Sequence, residues 1–172
     1  VYLAPTTEDE TIAQRAQPQW KPDTRMPDNP RWFSPPLYGL KTYGDLFTPR
    51  QLVALTTFSD LVPEVISKVR FDALAGGMDD DGRGLDGGGD GATAYAEAVG
   101  LYLGFLVDQV ANHASTICGW NHPNTQMRSV FSRQALPMTW DYAEANVFSD
   151  SSGSFNNLFE RQVKGFEALG AS

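Results

Sequence analysis

Between Gln109 and Trp140 the chain carries no Asp or Glu, while His113, Asn121, His122, Asn124, Gln126, Arg128, Arg133 and Gln134 all fall inside that stretch. Guanidinium and amide groups are the side chains that meet phosphates and base edges. The strip is therefore a candidate nucleic-acid contact through Asn124, Arg128, Arg133 and Gln134, set against a polar region that only hydrogen-bonds internally. Trp140-Asp141-Tyr142-Ala143-Glu144-Ala145-Asn146 follows at once. A Trp, two carboxylates and an Asn can line a pocket, but a helix with Trp140 and Ala143 inward and its acids solvated is the commoner outcome.

Other constellations carry less. Gly82-Arg83-Gly84-Leu85-Asp86-Gly87 satisfies GxGxxG, whose pyrophosphate chemistry needs a strand before it and a helix start after it. Neither is expected here, and Asp79, Asp80 and Asp81 beside it repel phosphate. Asp86, Asp90, Gly91 and Glu97 fall at positions one, five, six and twelve of an EF-hand loop, but Gly88 occupies position three and brings no carboxylate. His113, Cys118 and His122 are ligand types, yet His113 and Cys118 do not share a helix face and a fourth ligand is missing. Cys118 reads as a small buried hydrophobe.

These residues need elements to hold them. The spacing predicts helices at about 49–74, 93–117, 125–135, 137–146 and 155–168, and strand signals are nearly absent. Thr48 is a good N-cap, Pro49 suits the first helical position, and Leu52, Leu55, Phe58, Val62, Val65 and Val69 follow three or four apart. Pro63 predicts a kink or restart near Leu61. Tyr95, Ala98, Val99, Tyr102, Leu103, Leu106 and Val110 make the stripe of the second helix. Residues 76–91, an acidic glycine-rich loop, join the two into an antiparallel hairpin of long helices. Residues 1–44 read as an extended Pro-rich arm, with a short helix over 8–16, that must lie on another surface to bury Trp20, Trp32, Phe33, Leu37 and Tyr38. The expectation is a mainly α protein: that arm, then a helical domain over 45–172.

Composition narrows the class. A chain of 172 residues, 41% hydrophobic and 20% charged, fits one globular domain. Its net charge of −8 argues against a global basic footprint for nucleic acid without excluding a local patch. A single cysteine forbids an internal disulfide and points to a reduced, cytoplasmic setting. No apolar run is long enough to span a bilayer, so no membrane partner is expected. The chain begins at Val1 and reads as cut from something longer.

Three strings then act together: the run from Tyr43-Gly44-Asp45-Leu46-Phe47-Thr48-Pro49-Arg50 through Val62, Gly91-Ala92-Thr93-Ala94-Tyr95-Ala96-Glu97-Ala98-Val99, and the run from Phe131-Ser132-Arg133-Gln134-Ala135-Leu136-Pro137 through Asn146. In order and spacing they resemble the later part of large adenine-specific DNA methylases that also carry a Zn-ribbon, and the likeness extends from Val1 to about Ser152. The resemblance implies a parent that uses S-adenosylmethionine. In that family the methyl-donor loop and the Zn-ribbon lie upstream and the Asp-Pro-Pro-Tyr catalytic element lies downstream. None of them is among these residues. Ser34-Pro35-Pro36-Leu37 resembles that catalytic element but has Leu in place of the aromatic ring that stacks on an extruded base.

On this resemblance the chain is a helical segment that supports the catalytic domain, contacts DNA and is inactive alone, its partners being DNA and the rest of the methylase chain. Phe47, Thr48 and Pro49 resemble a helix start that other amino-methyltransferases place beside the methyl donor, where helix N–H groups receive its carboxylate. The alternative is a protein-interaction module of a DNA-defence or restriction complex.

Overall fold

The computed structural model describes residues 4–170. It shows a mainly α-helical fold with several helices and one small antiparallel β-hairpin. The chain divides into two compact units: residues up to Thr56 together with those from Val110 on, and Thr57–Gln109. Among the described residues no helix is long and apolar enough to cross a membrane.

Helix α1 is Thr7–Gln14. Thr6 caps it, exchanging bonds with Asp9, and Glu8, Asp9 and Glu10 place negative charge on its positive end. Helix α2 is Pro49–Ala75. Its start is a capping box: the Thr48 N–H donates to Gln51 Oε1 at 2.9 Å, and the Gln51 N–H returns to Thr48 Oγ1 at 3.3 Å. Pro63 lies inside this single helix, so of the kink or restart expected near Leu61 the restart does not occur. Gly77, with φ +88°, ends it, donating to Leu74 O while Met78 donates to Ala73 O.

Helix α3 is Ala92–Ala111. A residue from the loop before it serves as its cap: Asp80 accepts from the Thr93 N–H at 3.1 Å and from its hydroxyl at 2.8 Å, and also pairs with Arg70 at 3.1 Å. These bonds hold the Asp80 carboxyl down at about 2, the Thr93 hydroxyl contributing most. Gly100 on α3 faces Ile66 and Val62 of α2, and a Cβ there would overlap the Ile66 side chain. The expected stripe of α3 is only partly inward. Ala92, Ala96, Leu106 and Val110 are buried, but Tyr95 and Tyr102 are exposed.

The expected extension of that helix to 117 is replaced by turns. The Thr116 N–H and hydroxyl both donate to Leu46 O at 2.8 Å, and Asn112 accepts from the N–H groups of Val130 and Phe131. The helices expected at 125–135 and 137–146 are also absent. Strands β1, Gly119–Asn121, and β2, Gln126–Arg128, pair antiparallel instead, with Gly119 opposite Arg128 and Trp120 opposite Met127. Residues 129–146 are irregular because their N–H groups have distant partners: Leu136 donates to Trp32 O, Met138 to Ser34 Oγ and Ala143 to Cys118 O. Helix α4 is Phe155–Gly170.

Residues 22–44 fold back on themselves, Met26 donating to Lys41 O and Gly44 to Pro22 O. Most of the side chains expected to be covered are not: Trp20, Trp32, Leu37 and Tyr38 stay exposed, and Phe33 alone of that set is half-buried, against the cluster of Met26, Leu46, Ile117 and Leu136.

Candidate functional site

The acid-free strip is carried by the hairpin and the irregular segment after it. Arg128 closes β2 opposite Gly119, and its stem lies across that glycine, within about 4 Å of where a Cβ would stand. Behind the strand, Cys118 is buried and its thiol donates to Arg128 O at 3.0 Å. Burial pushes this thiol up to about 11.

Arg128 and Arg133 line one pocket of about 490 Å³ together with Ser129, Ser132, Pro137 and Thr139, and no carboxylate is among its lining residues. Both arginines are exposed, and neither forms an ion pair among the described residues. Guanidinium groups and hydroxyls around a concave surface suit a phosphate. The structure does not bring Asn124 and Gln134 into this pocket; both are exposed, Asn124 in the turn between the strands.

Phe47, Thr48 and Pro49 lie at the start of α2. Phe47 packs on the cluster around Leu46, and Thr48 is occupied by the capping box. Pro49 has no N–H, Gln51 donates to Thr48 Oγ1 and Leu52 to Thr48 O, so the first turn keeps only the Arg50 N–H for any anion.

A second pocket, of about 600 Å³, adjoins this helix start. Arg50, Gln51, Glu144, Asn146 and Phe148 are among its lining residues, while Phe47, Thr48 and Pro49 are not. Arg50 and Glu144 form an ion pair at 2.9 Å. Gln51 is buried, and its Nε2 has no hydrogen-bond partner among the described residues. Its amide cannot flip, because Oε1 must face the Thr48 N–H. Thr48-x-x-Gln51 signals that cap in the sequence, but nothing local joins Arg50 to Glu144.

The run from Trp140 to Asn146 is not the expected helix. Trp140 is 74% exposed, its ring edge-to-face with Tyr38 at 4.8 Å between centroids, while Ala143 packs on Cys118, Met127 and Ala145. His113 is buried and His122 exposed, and no cluster of His, Cys, Asp and Glu able to hold a metal occurs among the described residues. In the acidic loop, Asp80 and Asp81 are engaged by Arg70, Thr93 and Arg83, and Glu97 accepts from the Leu85 N–H at 2.7 Å. Compared with family models, with curated proteins and with solved structures, the chain matches none.

Proposed function

We propose that the chain is a helical segment of a cytoplasmic, S-adenosylmethionine-dependent DNA adenine-N6 methyltransferase, supporting the catalytic domain and contacting DNA, and not catalytic alone. In this reading α2 and α3 form an antiparallel hairpin of long helices, the Pro-rich residues before them form an arm, and Phe47, Thr48 and Pro49 approach the methyl donor of the parent protein. The observation that carries the DNA contact is the pocket lined by two arginines that form no ion pair among the described residues, with no carboxylate in its lining, in a chain whose net charge is −8. Asn124 and Gln134 lie outside that pocket and would reach DNA from its surroundings. The three strings that resemble the methylase family supply the rest of the reading.

A second reading is favoured by α4. Phe159, Val163 and Phe166 recur along one side of it and stay exposed, as a protein-interaction module of a defence or restriction complex would present them. The two separate by salt. Phosphate contacts release counterions, so DNA affinity mediated by Arg128 and Arg133 falls steeply with ionic strength. The test is a titration of duplex DNA at two salt concentrations with the wild-type chain and R128E/R133E. Salt-sensitive binding that the double charge reversal abolishes supports the first reading. DNA affinity unchanged by the reversal overturns it.

A further inference from the structure

We infer that the pocket of Arg128 and Arg133 and the indole of Trp140 beside it form one site for single-stranded DNA, with a backbone phosphate in the pocket and an unpaired base on the Trp140 ring. The inference rests on the DNA-contact reading and names the form of DNA that this surface takes.

The two parts adjoin in the chain at Thr139, Trp140 itself not being among the pocket's lining residues. Thr139 lines the pocket and is held by its hydroxyl, which donates to Ile117 O at 3.1 Å. Trp140 is the next residue, its Cα about 3.8 Å along the chain. Its ring is held in place although it is exposed. Tyr38 meets it edge-to-face at an interplanar angle of 79°, a contact that can occupy only one of the two indole faces. Tyr38 in turn ends the 3-10 turn Pro35–Tyr38, and Ser34 before it is tied to the pocket segment: its N–H donates to Leu136 O at 3.3 Å, and its hydroxyl accepts from the Met138 N–H at 2.7 Å. Leu136 and Met138, which tie down the turn before Tyr38, alternate along the chain with Ala135, Pro137 and Thr139 of the pocket lining.

A large ring at 74% exposure gains little from folding in this position. A base stacked on it would gain, because every nucleobase has a π face and stacking on an aromatic side chain is sequence-tolerant. In a duplex those faces are covered by neighbouring base pairs, so only an unpaired base can reach Trp140. The phosphate of such a strand finds Arg128, Arg133, Ser129 and Ser132 among the residues lining the pocket. Asp141, exposed and next in the chain after Trp140, is the nearest carboxylate in sequence and limits affinity without closing the pocket.

The test is fluorescence anisotropy with labelled oligo(dT) and a blunt duplex of equal length, on the full chain and on W140A, W140F and R128E/R133E. Oligo(dT) is expected to bind more tightly than the duplex. W140A is expected to weaken oligo(dT) roughly tenfold and leave the duplex unchanged, W140F to restore most of the loss, and the double reversal to abolish binding of both probes. If the duplex binds in an arginine-dependent manner while oligo(dT) is no tighter and indifferent to W140A, the inference is overturned and the DNA-contact reading stands. If neither probe binds, both are overturned.

Discussion

The thiol of Cys118 donates to the main-chain oxygen of Arg128 at 3.0 Å, so a buried side chain anchors the strand that carries an exposed guanidinium. Burial pushes that thiol up to about 11, and only the thiolate is nucleophilic. The native protein at pH 8 is therefore expected to react with a thiol reagent orders of magnitude more slowly than the urea-unfolded chain. C118A, which removes a buried sulfur and its hydrogen bond, should cost about 1–2 kcal/mol in urea unfolding. Rapid labelling of folded protein would show that the strand does not stay closed over Cys118.

Arg128 and Arg133 should be separable by salt. Each phosphate contact contributes about 0.9 to the slope of log affinity against log salt. R128A and R133A, which share one phosphate, are each expected to lower the slope for DNA by up to about that amount, measured by titration over a range of salt. Weakened binding with an unchanged slope would mean that the lost arginine held the pocket's shape rather than a phosphate.

Gly100 is the tight point between α2 and α3 within the Thr57–Gln109 unit. An alanine there gains about 1 kcal/mol of helix propensity but forces its methyl into the Ile66 side chain, a clash of about 1–3 kcal/mol. G100A should lower stability by about 1 kcal/mol net. The double variant G100A/I66A should lose less than the sum of the two single losses. A thermal melt in which G100A is more stable than wild type would show that the helices do not approach here.

Asp80 makes the same unit acid-sensitive. Its carboxyl is ionised in the folded chain down to about 2, against an ordinary value of 3.8. The stabilisation is present in full above the ordinary value and lost as pH falls through the folded one. Wild-type Tm should fall between those two values, and the fall should be smaller in D80N. D80A, which removes the cap of α3, should lower Tm by a few degrees at neutral pH. Equal acid sensitivity in D80N and wild type would place the titrating group elsewhere.

Local chemistry alone determined the start of α2, where Thr48, Pro49 and Gln51 satisfy one another across a single turn. It also determined the existence of α3 and α4 and the loop between α2 and α3, because helix periodicity and glycine-rich punctuation are read within a few residues. The acid-free strip, with Arg128 and Arg133, was visible as composition. Tertiary structure decided what that strip becomes. Helices at 125–135 and 137–146 fail because the N–H groups of Val130, Leu136, Met138 and Ala143 are taken by Asn112, Trp32, Ser34 and Cys118, partners that no local pattern names. The same distant bonds bring Arg133 beside Arg128, turn Trp140 outward against Tyr38, and set Arg50 against Glu144. The physical reason is range: a helix is selected by contacts three and four residues apart, while a pocket is made by groups that only the folded chain brings together.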